Sequence, residues 1–189
     1  MEGTGTILPE RGFRGKHILT AGLRQKARQT KIFVTVGTHP QQFDSLLSEV
    51  DRLAGGKKIA GKIFAQTGHS AYEPKNFAWK HFLTLDEFRE NLLKADVVIT
   101  HAGEGTVGEC KNLGKKMIAV PRRKERSEHT NDHQLELAEV VEMKKIGLVA
   151  WQPRNLEEKI SALASFKPAL VERGRIPELL EEFTGKAFV

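Results

Sequence analysis

A single cysteine, Cys110, stands among the 189 residues, which rules out an internal disulfide and leaves no companion thiol for a zinc site. That usage suits a reducing compartment, with Cys110 read as a small packed residue on a helix. Apolar runs are short as well. None approaches the roughly 18 residues needed to span a bilayer, and the opening residues lack the charged, apolar, small-residue order of a secretory signal. Neither a GxxxxGK[ST] phosphate loop nor an Asp-x-Asp pair occurs, and Asp132 and His133 are adjacent rather than spaced as metal ligands. There is no internal repeat and no low-complexity tract. A disulfide scaffold, a membrane-spanning helix, a P-loop nucleotidase and a metal centre are thereby set aside.

What is present is a 39% hydrophobic chain of net charge +6, enough apolar material for one globular core. The charge is unevenly spread. Arg11, Arg14, Lys16, Arg24, Lys26, Arg28 and Lys31 face only Glu2 and Glu10 in the first 31 residues, while the remainder is nearly balanced. With Gly3, Gly5, Gly12 and Gly15 and no sustained periodicity, residues 1–30 read as a basic, flexible leader. Such an arm suits contact with anionic headgroups, an acidic protein or nucleic acid, and equally a solvated leader. Residues 31–189 read as an α/β domain with C-terminal helices.

Order starts at "KIFVTV", β-branched and apolar enough for a buried parallel strand. "QQFDSLLSEVDRLAGG" puts Phe43, Leu46, Leu47, Val50 and Leu53 at helical spacing, and Gly55–Gly56 ends it. Strands follow in "KIAGKIFAQTG", "WKHFL", "DVVIT", "KKMIAV" and "KIGLVA". Helices are expected over "LDEFRENLLKA" (inward stripe Phe88, Leu92, Leu93), about Glu104–Leu113, about Asn131–Met143, "NLEEKISALASF" and "IPELLEEF". Strands alternating with helices imply a Rossmann-like, doubly wound parallel sheet, with the ligand where strand carboxyl ends meet helix N-termini.

Four strand-end turns should therefore converge. They are "VGTHP" (Gly37, Thr38, His39), "HFLTLDEF", "THAGEGTVGE" and "VPRRKERSEHTNDHQ". In the third, Gly103 and Gly105 are expected to take backbone angles closed to other residues and to bring amides close to a ligand. The helix after them starts near Gly105–Thr106, and its unpaired N–H groups favour a phosphate. The Thr106 hydroxyl can donate to a phosphate oxygen, while Glu109, about one turn on, suits a ribose diol. Phosphate with ribose means a nucleotide. "GEGTVG" formally matches the dinucleotide fingerprint GxGxxG, but it follows a late strand and lacks the ribose acid expected about 20 residues on. The loop cations Arg122, Arg123, Lys124 and Arg126 are candidates to close over a diphosphate, against a simply solvated basic loop.

"HAGEGTVGE", the upstream "VTVGTHPQQFDSLL" and the downstream "P…EHTNDHQLELA", in that order over about Lys31–Trp151, resemble the glycosyltransferase family 28 C-terminal domain. The likeness is to small single-domain members, among them catalytic subunits of two-part UDP-N-acetylglucosamine transferases and exopolysaccharide transferase subunits. The resemblance implies the donor-binding half of a GT-B enzyme. It assigns Glu109 to the ribose hydroxyls and Gly103, Glu104, Gly105 and Thr106, with Gly37 and Thr38, to the diphosphate side. Glu104, an anion between the two turn glycines, departs from that role. Phe82 and Leu83 fall at the uracil, Gln134, His133 and Asn131 at the donor sugar. His101 shapes the turn or touches phosphate, and His39 is this chain's candidate base.

Larger relatives carry a second, acceptor-binding domain, so the resemblance implies a separate membrane-anchored partner presenting a lipid-linked acceptor. The chain itself would be cytoplasmic and peripheral. The expected chemistry is inverting hexosyl transfer from a UDP-sugar, with no metal or cofactor. A UDP-sugar-binding module without activity, a nucleic-acid binder acting through the leader and a dinucleotide oxidoreductase are the rivals; no nucleic-acid partner is expected.

Overall fold

The computed structural model describes residues 28–126, 128, 133–169, 182 and 185. The leader up to residue 27, Asn131 and "IPELLEEF" (apart from Glu182) lie outside them. Six parallel strands form one sheet in the order β3-β2-β1-β4-β5-β6. They are β1 (Lys31–Thr35), β2 (Lys62–Gln66), β3 (Ala78–Lys80), β4 (Val97–Thr100), β5 (Lys116–Ala119) and β6 (Leu148–Val149). This is the doubly wound order, and it reverses between β1 and β4, where such sheets leave a crevice. The register sets Thr35 beside Thr100 and beside Gln66, so three strand ends finish level.

Alternation along β1 explains the two layers. Ile32 and Val34 face a core shared with the helix α1 (Asp44–Gly55), where Phe43, Leu46, Leu47, Val50 and Leu53 are all fully buried as their spacing requires. Leu156 of α5 (Leu156–Ala162) closes that layer. Phe33 faces the other core, covered by α2 (Leu85–Lys94), α3 (Glu104–Asn112) and α4 (His133–Met143). Cys110 is packed here, and burial pushes its thiol up to about 12.

The expected stripe of α2 needs one correction. Leu92 is buried and Phe88 packs partly against the core, but Leu93 is 59% exposed, because adjacent helical residues diverge by about 100°. The third strand lies at Ala78–Lys80, starting one residue before Trp79 and ending immediately before "HFL". Among the described residues no helix is long and apolar enough to cross a membrane.

Asp51, only 4% exposed, ties α1 to the loop between β2 and β3. It accepts from the Tyr72 hydroxyl at 2.9 Å, the Lys75 N–H at 3.1 Å and the Asn76 N–H at 2.8 Å. Burial alone would raise its pKa; these donors, with the Asn76 side chain, outweigh that and hold it below the ordinary aspartate value.

Candidate functional site

A cavity of about 710 Å³ opens at the strand carboxyl ends, within the size range of small-molecule sites. Its walls come from the four expected turns. Gly37, Thr38 and His39 follow β1; Leu83 precedes α2; His101, Gly103, Glu104, Gly105 and Thr106 follow β4; Gln134 opens α4. Ten of the sequence candidates thus share one space.

The α3 end of the cavity has the chemistry of an anion site. Gly103 is the N-cap and makes no side-chain capping bond. The Val107 N–H is taken by the Gly103 carbonyl, while Glu104, Gly105 and Thr106, whose N–H groups precede the first intrahelical bond, all line the cavity. The helix begins at Glu104, as the expected span of about Glu104–Leu113 has it and one residue before the Gly105–Thr106 start, and the Glu104 side chain is exposed.

The reason for the glycines is corrected by the structure. Neither Gly103 nor Gly105 takes a left-handed conformation; Ala102 does, with φ 61°, and so does Gly37, with φ 74°. Space is what matters at Gly103, because a Cβ there would lie 2.2 Å from His101 Nε2. At Gly37 a Cβ would lie 2.6 Å from His101 Cε1, whereas at Gly105 it would meet nothing within 4 Å. The imidazole is therefore clamped between the turns after β1 and β4. Its Nδ1 lies 3.3 Å from the Thr35 carbonyl, which as an acceptor fixes the proton on Nδ1.

Three candidates stand apart from the lining. Phe82 is 47% exposed, its ring edge-on to His69 at 4.9 Å, beside Leu83 but outside the cavity. His133 is exposed and pairs with Glu136. Glu109 is exposed on α3, one turn beyond the buried Thr106, and is not part of the wall. Asn131 lies outside the described residues.

The loop cations do not close over the cavity; none of the four lines it. Arg122 is fully buried, Arg123 donates to the Trp151 carbonyl, and Lys124 and Arg126 are exposed in a short 3₁₀ turn. Burial pushes the Arg122 guanidinium down to about 10, partly offset by Glu128.

Sequence reasoning missed Pro40, Gln66, Thr84, Leu85 and Phe88 in the wall. Two of these were announced. Gln66 is the last residue of β2, and "TLDE" is a capping box in which Thr84 and Glu87 satisfy each other's backbone N–H groups. Among the described residues no group of three His, Cys, Asp or Glu side chains is arranged to hold a metal.

Known proteins resemble this chain in sequence and in fold. The UDP-N-acetylglucosamine transferase subunit ALG13 of Homo sapiens is 37% identical over 117 residues, 57% of this chain, and that of Mus musculus 36% over 118 residues. The chain spans about a tenth of the length of these curated relatives (10% of each). Among solved structures, a glycotransferase of kitacinnamycin superposes with TM-score 0.56 and 23% identity over 96% of this chain and 44% of its own. MurG of Acinetobacter baumannii gives 0.55 and 17% over 86% and 51%, and the solution structure of ALG13 gives 0.54 and 16% over 85% and 98%. At these identities the likeness is one of fold, and that fold is half of a GT-B glycosyltransferase. Residues 31–184, from the first strand onward, match the glycosyltransferase family 28 C-terminal domain, and the chain belongs to that family.

Proposed function

We propose that the cavity binds a UDP-sugar and that the chain, with an acceptor-binding partner, transfers the hexosyl group with inversion. The observation that carries this is the wall of Glu104, Gly105 and Thr106 at an uncapped helix start, facing Gly37 and Thr38 across one cavity. Similarity to ALG13, a UDP-N-acetylglucosamine transferase subunit, supports UDP-N-acetylglucosamine or a related UDP-hexose as donor and a multi-subunit assembly. A membrane-anchored partner presenting a lipid-linked acceptor completes the reading, with this chain cytoplasmic and peripheral.

Negative charge develops on the diphosphate as the glycosidic bond to UDP breaks. The N–H groups and dipole of α3, with the Thr106 hydroxyl, face that charge and stabilise it without a metal. Leu83 and Phe88 offer the base an apolar wall, and Gln134 meets the sugar. Glu109, exposed on α3 one turn beyond Thr106 and outside the cavity wall, is given the ribose hydroxyls by the family resemblance. His39, half-buried in the wall, is this chain's candidate to receive the acceptor proton; otherwise the base belongs to the partner.

Calorimetric titration of the isolated protein with UDP, UDP-N-acetylglucosamine and NAD tests the binding half. UDP compounds are expected to bind and NAD to fail; the reverse overturns the reading. Adding the partner and a lipid acceptor tests turnover. Binding without UDP release under any pairing assigns a UDP-sugar-binding module instead.

A further inference from the structure

Arg122, immediately beyond β5 and Pro121, is the bulkiest of the fully buried side chains. Its Nη2 donates to the Val36 carbonyl at 2.7 Å, and its guanidinium carbon lies 5.4 Å from the centre of the Phe43 ring. Its backbone N–H donates to Gln134 Oε1 at 3.1 Å. Among the described residues Nε and Nη1 have no hydrogen-bond partner, and the guanidinium forms no ion pair. Glu128, 2% exposed, acts on it only at longer range; that carboxylate is engaged by the Ser45 hydroxyl at 2.6 Å and the Arg123 N–H at 3.1 Å.

A buried cation compensated so sparsely destabilises a fold. Its location gives a reason to keep it. The Val36 carbonyl belongs to the peptide that leads into the Gly37 turn, and Gln134 lines the cavity too. The charge therefore stands one peptide behind the wall. Low-dielectric surroundings carry its field into the cavity more effectively than water would.

We infer that Arg122 is a positioning residue of the diphosphate subsite, its guanidinium bracing the Gly37 turn through the Val36 carbonyl and lending its charge to a bound diphosphate through the cavity wall. This rests on the nucleotide-sugar reading above. It makes Arg122 act on the anionic part of the ligand and not on the nucleoside.

Titration of the full chain with UDP and with uridine reads that difference. In Arg122→Met, UDP affinity is expected to fall about tenfold and uridine affinity by less than about twofold. The unliganded melting temperature is expected to change by only a few degrees, because the apolar side chain removes a buried charge but leaves the Val36 carbonyl without its donor. Equal losses for the two ligands, or unchanged UDP binding, overturn the inference. Glu128→Gln removes the opposing charge and is expected to tighten UDP about threefold while sparing uridine. Unchanged or weaker UDP binding in that variant overturns the inference even where Arg122→Met does not fold. Wild-type protein that binds no UDP removes the functional reading and this inference together; a wild type that binds UDP, with both variants indifferent, removes only the role of Arg122.

Discussion

The ring of His101 is packed so closely on Gly103 that a single methyl group there would come within 2.2 Å of Nε2. Gly103→Ala therefore cannot be accommodated without expelling the ring or shifting the α3 N-terminus. A loss of about 1–3 kcal/mol in unfolding free energy is expected, as for overpacking elsewhere, together with loss of UDP binding. Denaturant melts and calorimetry check the two parts. Unchanged stability would mean that the ring swings away freely.

Gly105 is the contrasting case. A Cβ at this position meets nothing within 4 Å, so Gly105→Val should fold with a melting temperature close to wild type. The added side chain stands beside the helix N–H groups in the cavity wall, and UDP affinity should fall at least about tenfold if that end receives the diphosphate. Retained affinity in the folded variant would move the diphosphate elsewhere.

Glu109 is exposed and engages no core group, so Glu109→Ala should leave unliganded stability within about 0.5 kcal/mol. UDP binding is expected to weaken by about 1–3 kcal/mol, the scale of a charged hydrogen-bond partner. Uracil, which lacks the ribose, should not register the change. Equal loss of stability and binding would make Glu109 a structural residue.

Asp51 carries a pH-dependent share of stability. Its folded-state pKa is depressed, so its contribution is present above the unfolded value and is lost as the pH falls below about 4. Asp51→Asn is expected to cost about 1–3 kcal/mol at pH 7, since one carboxylate serves several donors. Thermal melts at pH 7 and pH 3 should show the gap between wild type and variant narrowing on acidification. A constant gap would contradict the linkage.

The sheet was legible because each strand sits between glycine or polar punctuation and each helix repeats its apolar residues at three- and four-residue steps. The run from the N-cap Phe43 to Leu53 of α1 is the clearest instance. Leu93 was misplaced because periodicity allows two neighbouring stripes and only packing chooses between them. In the site, Gln134, in α4, was reached through the family resemblance, whereas strand-end positions such as Gly37 and His101 could be read from topology. The purpose of Gly103 could not, since it depends on a ring two residues away folding back over it. Nor could the fate of Arg122, which looks in sequence like any member of a basic loop and turns its side chain inward onto the Val36 carbonyl and the Phe43 ring.

The pairing of β1 with β4 joins Thr35 to Thr100, stretches far apart along the chain. The two halves of the cavity are therefore made at different times during synthesis, and distant contacts of this kind form slowly. A chain truncated before α3 lacks the wall of Glu104, Gly105 and Thr106, so on the proposed reading nascent protein would gain nucleotide binding only after most of the sheet has been translated. Uridine nucleotide added during refolding should accordingly capture the finished state alone, raising the yield of native protein without hastening the earlier steps.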